Sequence, residues 1–163
     1  MAAESDNIFD HDQGEKTILM KIFCDTSVLV AASVRSHEHY ARAFAVLEQV
    51  ASKKDRGVIG VHSLAEMYAV LTRLPVIPRI QPGEAAKIVS DNVVRHFQLQ
   101  PLGAREYAAS ISSAAENGVI GGAIYDVLLL TAARKAKPDR IYTFNVAEFR
   151  RLAPDLHDLI AAP

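Results

Sequence analysis

The sequence has one cysteine, Cys24, no tryptophan, and no apolar stretch that approaches the roughly 20 residues needed to cross a bilayer. A single cysteine forms neither an intramolecular disulfide nor a cysteine-based zinc cluster, so we expect a reducing compartment, the cytoplasm, and no membrane association. The acidic N-terminus is unlike the basic start of a secretory signal. Cys24 lies inside a predicted strand, where it is interpreted as a small core residue.

Charge is distributed unevenly along the chain. The whole sequence has 18 Lys and Arg and 19 Asp and Glu, but residues 1–19 contain five of the acids and only one of the bases. The remaining 17 bases and 14 acids give residues 20–163 a net charge of +3, which permits a nucleic-acid partner without requiring one. Residues 1–19 also lack apolar periodicity. They are therefore predicted to be a disordered extension, and residues 20–163 to form one domain.

Strand and helix patterns alternate through residues 20–163. The first predicted strand ends at Asp25, and further strands are predicted over 58–61, 97–99 and 140–144. Helices are predicted over 37–51, 63–74, 82–95, 104–116, 123–135 and 145–152. Such alternation is typical of an α/β fold in which helices cover both faces of a central parallel sheet, a three-layer α/β/α sandwich.

Polar side chains with oxygen atoms occur at four of the transitions between these elements. Asp25 ends the first strand, and a turn rich in hydroxyl groups follows it. Glu66 and Asp126 each lie in the first turn of a predicted helix, and Asn145 follows the last predicted strand. In a parallel sheet these transitions share one edge, where ligands of α/β proteins bind, so the four side chains are expected to meet there.

A cluster of this kind indicates a site for a hard divalent cation. Mg²⁺ and Mn²⁺ prefer carboxylate, carbonyl and water oxygens. Unpaired carboxylates that share one place repel each other unless a cation neutralises them. Metal ions about 3.5–4 Å apart activate water and stabilise the leaving oxygen in phosphodiester cleavage. Such a site needs no serine or cysteine nucleophile.

Each of these residues also has a purely structural interpretation. Glu66 forms a capping-box pattern with Ser63, in which it would bond only the Ser63 amide. Asp126 would stabilise the positive end of a helix dipole, although its apolar sequence neighbours make an idle charge costly. Asn145 would be a helix N-cap. No role is predicted for the histidines close to the first two helices, which are interpreted as surface residues: His37, His39 and His62.

Taken together, these residues resemble the PIN-domain ribonucleases, and most closely the VapC-type toxins of bacterial toxin–antitoxin pairs. Four segments carry the resemblance, in matching order, over about residues 20–152: Phe23–Val30, Ser63–Glu66, Ile124–Asp126 and Tyr142–Phe149. One such segment is a weak signal, whereas four in the same order are a more specific pattern. The resemblance implies a PIN-like α/β/α sandwich and a metal-dependent endoribonuclease that leaves a 5′-phosphate and a 3′-hydroxyl.

The resemblance also implies roles for the acidic residues. Asp25 and Asp126 would bind Mg²⁺ or Mn²⁺ directly, and Glu66 would complete the acidic pocket, directly or through water. Asn145 stands where many relatives have Asp and many toxins have Asn. This departure leaves three formal negative charges instead of four, which puts tight binding of a second metal ion in doubt. Glu148, on the following helix, is expected to be peripheral.

The same resemblance implies supporting residues and partners. Ser27 and Thr143 match hydroxyl positions of the family and would orient a carboxylate or a water molecule. The implied partners are an RNA substrate, a cognate antitoxin that covers the acidic site, and a second copy of the chain in a homodimer. The apolar loop 74–78 is a candidate partner surface. Basic residues that could contact phosphates, or simply be solvated, are Arg73, Arg79, Arg134, Lys135, Lys137, Arg140, Arg150 and Arg151.

Two other functions compete with a nuclease. The first is a PIN-like binding module that has lost catalysis and engages RNA or a protein, and Asn145 gives this alternative some weight. The second is a phosphohydrolase of the haloacid-dehalogenase type, which also places a nucleophilic Asp after its first strand. That chemistry needs another Asp two residues later, where this sequence has Ser27. The phosphohydrolase is therefore disfavoured.

Overall fold

A computed structural model describes residues 19–163 of the chain. Within that range, five parallel strands form one sheet in the order β3-β2-β1-β4-β5. β1 lies at the centre, which explains why Ile22, Phe23 and Cys24 are apolar and buried. The strands are β1 (Lys21–Cys24), β2 (Arg56–Gly60), β3 (Gln98–Gln100), β4 (Arg140–Tyr142) and β5 (Ile160–Ala161).

Helices connect and cover these strands. The α-helices of the described range are α1 (Thr26–Ser33), α2 (Tyr40–Ala51), α3 (His62–Leu71), α4 (Pro82–Ile88), α5 (Ala104–Glu116), α6 (Ala123–Ala136) and α7 (Val146–Leu152). A π-helical segment, Val89–Val94, continues α4, and a 3-10 helix, Pro154–Leu159, precedes β5. The predicted helix over 104–116 has the bounds that the sequence indicates.

The side chains of β1 alternate between two apolar cores. Ile22 and Cys24 pack on one face with residues of α1 to α4, and Phe23 packs on the other face with residues of α6 and α7. All three side chains are at most 1% exposed. Cys24 is therefore the core residue that the sequence indicates, and burial raises the pKa of its thiol. Helices on both faces of a parallel sheet confirm the predicted three-layer α/β/α architecture.

The strand order reverses beside β1. The chain passes from β1 to β2 and β3 on one side, and later to β4 and β5 on the other. Open α/β sheets bind ligands at the carboxyl ends of the strands where the order reverses. Here that crevice lies between β1 and β4, and the residues that follow these strands are Asp25 and 143–145.

Several local boundaries differ from the sequence-based predictions. The hydroxyl-rich turn expected after Asp25 is the first turn of α1. The helix predicted from 37 begins at Tyr40, with His39 at its N-cap, and the helix predicted over 82–95 turns π-helical after Ile88. β5 is not predicted, because a strand of two residues is too short to show an alternating pattern of apolar and polar residues.

Two predictions concern the N-terminus and membranes. Of the predicted extension over 1–19, residues 1–18 lie outside the described residues. Among the described residues, no helix has the length and apolar character that a membrane crossing needs.

Candidate active site

An open cleft of about 500 Å³ lies at the reversal point of the sheet. The side chains of Asp25, Glu66, Asp126 and Asn145 all line it. These residues come from four separate segments of the chain, as the parallel topology predicts. No Lys or Arg is among the described residues that line the cleft.

Asp25 is fixed at the floor of the cleft by two hydroxyl groups. Its side chain is 4% exposed, and its Oδ2 atom accepts hydrogen bonds from Ser27 Oγ at 2.7 Å and Thr143 Oγ1 at 2.8 Å. Both hydroxyls are fixed in turn, because Ser27 Oγ accepts from the Phe144 amide at 3.2 Å and Thr143 Oγ1 accepts from the Asn145 amide at 3.0 Å. Ser27 and Thr143 therefore orient the Asp25 carboxylate.

Backbone bonding explains why Asp25 lies where it does. Its amide donates to the Tyr142 carbonyl at 2.9 Å, which continues the ladder between β1 and β4 by one residue. Asp25 is also the N-cap residue of α1, yet its side chain makes no capping bond. The carboxylate is thus directed to Ser27, Thr143 and the cleft. Burial raises its pKa, and the hydrogen bonds from Ser27 and Thr143 partly oppose that rise.

Glu66 faces Asp25 from α3, and its Oε2 atom is buried without a hydrogen-bond partner. The capping-box interpretation of Glu66 is wrong, since α3 begins at His62 and its N-cap is Val61. Ser63 instead accepts a hydrogen bond from Thr26 Oγ1 at 3.1 Å. Burial, followed by repulsion from Asp25 and Asp126, raises the pKa of Glu66 to about 7. A buried carboxylate oxygen without a donor is an acceptor available to a ligand.

Asp126 lies in the first turn of α6 and completes the acidic cluster. Burial, then repulsion from Asp25 and Glu148, raises its pKa to about 6. A carboxylate that served only the helix dipole would have a lowered pKa, because the dipole favours its charged form. Burial, together with repulsion from the other acids, therefore outweighs the effect of the dipole at Asp126.

Asn145 and Glu148 differ in whether their side chains already have a bonding partner. Asn145 is the N-cap residue of α7, but its side chain makes no capping bond and lines the cleft. Glu148 pairs with Arg151 through two hydrogen bonds of 2.8 and 2.6 Å. That pairing lowers the pKa of Glu148. The side chain of Asn145 is therefore open to a ligand, whereas Glu148 is already neutralised.

The sequence-based predictions assign no role at the site to the aromatic residues that line the cleft. His37, His39 and Phe144 line the cleft, so the interpretation of the two histidines as surface residues without a role at the site is incomplete. His62 lies 3.7 Å from Glu66 Oε2 through its Nε2 atom. No periodic signal marks His37, His39 or Phe144, because they lie outside the regular elements and the histidines meet Phe144 only in the tertiary fold. His62 lies four residues before Glu66 on α3, so this spacing is visible in the sequence.

The acidic residues fit a hydrated divalent cation. Among residues 19–163, no three His, Cys, Asp or Glu side chains already converge on a single ion position. Carboxylates that repel each other are expected to stand apart in this way. Mg²⁺ keeps several water ligands and commonly uses only one or two carboxylates, so complete convergence is not required. The oxygen-only ligand set and the unpartnered Glu66 Oε2 are the features that fit such an ion.

Comparisons with known proteins agree with this geometry. A family model described as PIN domain matches residues 22–154. Ribonuclease VapC40 of Mycobacterium tuberculosis is 36% identical over 113 residues, which cover 69% of this chain and 78% of the relative. Ribonuclease VapC27 of the same species is 31% identical over 115 residues, covering 71% of this chain and 78% of the relative.

Solved structures show the same fold. A chain of VapBC2 from Rickettsia felis, bound to a DNA fragment from their promoter, superposes with a TM-score of 0.59 at 19% identity and covers 88% of this chain and 99% of that one. VapC20 of Mycobacterium tuberculosis, a Sarcin-Ricin loop cleaving toxin, gives a TM-score of 0.61 at 17% identity and covers 78% and 92%. Given the family model and the two ribonucleases, the chain belongs to the PIN domain family and, within it, to the VapC ribonucleases.

Proposed function

We propose that the protein is a metal-dependent endoribonuclease and the toxin of a toxin–antitoxin pair. The observation that carries this proposal is the meeting of Asp25, Glu66 and Asp126 in one cleft whose described lining has no Lys or Arg. Burial raises the pKa of all three acids, and repulsion from neighbouring carboxylates adds to the rise at Glu66 and Asp126. Mg²⁺ or Mn²⁺ is the kind of ion that relieves such repulsion with oxygen ligands.

The residues of the cleft would have different roles in phosphodiester hydrolysis. Asp25 and Asp126 would hold the ion, and Glu66 and Asn145 would add an oxygen ligand or orient a water molecule. The bound ion supplies charge neutralisation at the phosphate and activation of water. Ser27 is not a nucleophile, because its hydroxyl donates to Asp25 and accepts from the Phe144 amide. The proposed attacking group is water rather than Ser27, so that the reaction would be hydrolysis.

RNA as the substrate is supported by the relatives, which are named ribonucleases. The basic residues near the C-terminal half contribute less to RNA binding than their number indicates. Arg134 pairs with Asp155, Lys135 with Glu106 and Arg151 with Glu148. Arg73 is better placed, since it lines a shallow cavity of about 300 Å³ that shares Glu66 with the acidic cleft.

An antitoxin is supported as a partner by the likeness to the VapBC2 fold and by an apolar surface beside the cleft. Val70 and Leu74 line the cleft, and Ile77 in the apolar loop 74–78 is fully exposed. An antitoxin segment that covers this surface would also cover the acids and bring a basic side chain to them. A homodimer through the helices is proposed as well, and Tyr107 and Ile111 of α5, which are 37% and 56% exposed, are candidates for its contact.

The experiment is RNA cleavage in Mg²⁺ or Mn²⁺ by the wild type, Asp25→Asn and Asp126→Asn. Each substitution removes one charge from the cleft and keeps the side-chain shape, so cleavage should fall by more than about a hundredfold while the circular dichroism spectrum is unchanged. Asp91→Asn is the matched control, because Asp91 pairs with Lys87 on the surface. A wild-type rate for either cleft variant would show that the site is assigned wrongly.

A binding module without catalysis is the second candidate, and Asn145 is the observation that favours it. An Asn in place of an acid leaves Asp25, Glu66 and Asp126 as the carboxylates of the predicted site, with Glu38 as a further acid on the cleft lining. Calorimetry with Mn²⁺ separates the two candidates. An enzyme binds Mn²⁺ in the wild type and loses that binding in Asp25→Asn, whereas a dead scaffold binds no Mn²⁺ in either protein.

A further inference from the structure

The lining of the cleft includes a stacked pair of aromatic rings. The His39 and Phe144 rings lie 4.4 Å apart between centroids, with 19° between their planes. The guanidinium carbon of Arg42 lies 5.9 Å from the centroid of Phe144, within the range of a cation–π interaction. Both rings line the cleft, and the His39 side chain keeps 35% of its accessible surface. The stack is therefore open to a ligand in the cleft.

The stack is held in a fixed position relative to Asp25. The Phe144 amide donates to Ser27 Oγ at 3.2 Å, and Ser27 Oγ donates to Asp25 Oδ2 at 2.7 Å. One hydroxyl group therefore joins the backbone of the aromatic residue to the central carboxylate. A base on the stack would have a defined distance from the phosphate that the acids act on.

The charge of the cleft explains why such a surface is needed. RNA is a polyanion, and the described lining of the cleft offers acids but no Lys or Arg. Phosphate contacts, which supply much of the affinity in other nucleic-acid sites, are therefore weak at the cleavage point. Stacking on aromatic rings does not depend on charge and serves single-stranded RNA, whose bases are free to leave their neighbours.

We propose that the His39–Phe144 stack is a binding site for one nucleobase of single-stranded RNA, next to the phosphate that is cleaved. This inference rests on the endoribonuclease function proposed above and adds the part of the substrate that the cleft recognises. The base adds to the stack over the part of the His39 imidazole that stays exposed beside the tilted His37 ring, whose centroid lies 5.7 Å away. Phe144 and His39 are thus substrate-positioning residues, distinct from the carboxylates.

The test compares RNA substrates and protein variants together. A single-stranded RNA that the wild type cleaves in Mn²⁺ is prepared with an abasic nucleotide at each position in turn. The stack predicts one position beside the cleaved bond where loss of the base raises KM about tenfold with little change in kcat. Phe144→Leu should raise KM for the intact RNA by a similar factor and abolish the difference between intact and abasic RNA, while Phe144→Tyr retains both.

The chain provides a matched control for the loss of a stacked ring. Phe44 stacks on Tyr40 with centroids 5.3 Å apart and is 42% exposed, but it is not among the residues that line the cleft. Phe44→Leu should leave both KM values unchanged. The abasic series in the wild type needs no variant, so it tests the stack even if Phe144→Leu fails to fold.

The outcomes separate the two proposals. If the wild type cleaves RNA but no abasic position raises KM, or if Phe144→Leu discriminates against the abasic RNA as the wild type does, the base site is wrong and the nuclease stands. If the wild type cleaves no RNA, the nuclease proposal fails and the base site fails with it.

Discussion

The two sides of the acidic cleft are built differently. On the side of β1 and β4, Asp25 accepts hydrogen bonds from two buried or half-buried hydroxyls, each of which is fixed by a backbone amide. On the side of α3 and α6, Glu66 has a buried oxygen with no donor, and the charge of Asp126 is opposed by Asp25 and Glu148. On the first side the carboxylate has its hydrogen-bond donors without a ligand, whereas on the second side a carboxylate oxygen lacks a donor.

The difference indicates that the protein separates orientation from charge balance. Hydrogen bonds on the first side fix the position of one carboxylate before any ligand arrives. On the second side the carboxylates repel each other until a cation binds. Binding of an ion should therefore stabilise the second side more than the first. Substitutions on the two sides should therefore change different measured quantities.

Among the substitutions that compare the two sides, the largest effect is expected from Thr143→Val on the hydrogen-bonded side. Thr143 is fully buried, and valine keeps its shape but removes the bond to Asp25 Oδ2. Loss of an orienting partner typically lowers metal affinity or activity about 10- to 100-fold, and the unsatisfied Asn145 amide should cost about 1–2 kcal/mol of unfolding free energy. RNA cleavage assays and urea titration measure the two effects. Thr143→Ser should restore both, and a valine variant with normal activity would contradict the orienting role.

An effect of opposite sign is expected from Glu66→Gln on the repulsive side. The neutral amide removes repulsion from Asp25 and Asp126, so the metal-free protein should become more stable at pH 8. The Glu66 side chain is 29% exposed, and after allowance for solvent screening the gain is about 1 kcal/mol. A gain of that size raises Tm by about 2–4 °C, which calorimetry measures.

Glu106→Gln is the control for that substitution. The Gly103 amide and Lys135 hold the pKa of Glu106 below its ordinary value, so its neutralisation should leave Tm unchanged or lower it. Added Mn²⁺ should stabilise the wild type and the Glu106 variant more than Glu66→Gln. If both variants shift Tm in the same direction, repulsion in the cleft is not the cause.

The same repulsion predicts how stability depends on pH. Glu66 has a pKa of about 7 in the folded protein against an ordinary 4.5, and Asp126 about 6 against 3.8. At pH values between the ordinary pKa and the raised pKa of each group, the folded chain binds more protons than the unfolded chain. The free energy of unfolding therefore falls as pH rises from about 4 to above 7. Urea titrations without metal, repeated with EDTA and with Mn²⁺, should show a fall that Mn²⁺ reduces. A fall that Mn²⁺ leaves unchanged would point to groups outside the cleft.

The smallest effect is expected from Asn145→Asp, which would make the two sides more alike in charge. Asn145 is exposed on the cleft and makes no capping bond. The added carboxylate should lower metal-free stability by less than about 1 kcal/mol, because solvent screens an exposed charge. It should also tighten Mn²⁺ binding in calorimetry. Unchanged or weaker Mn²⁺ binding would show that position 145 does not contribute to the ion site.

Much of the site follows from strand ends in the sequence. Apolar residues stop abruptly at Asp25, and Thr143 and Asn145 follow another short apolar run, so parallel topology alone predicts that they meet. Glu66 is ambiguous in sequence because Ser63 and Glu66 match a capping box, and only the start of α3 at His62 excludes that interpretation. Local spacing cannot distinguish a cap from a ligand when the same residue types serve both.

The sequence by itself determined the alternation of strands and helices, the burial of Cys24, and the family to which the chain belongs, because these depend on local apolar patterns and on short motifs. Only the tertiary structure decided which carboxylate oxygen is held by two hydroxyl donors and which is buried without a donor, and that His39 lies on Phe144 across 105 residues of chain. Such contacts depend on how distant segments pack around the sheet, and a linear pattern of residues carries no signal for them.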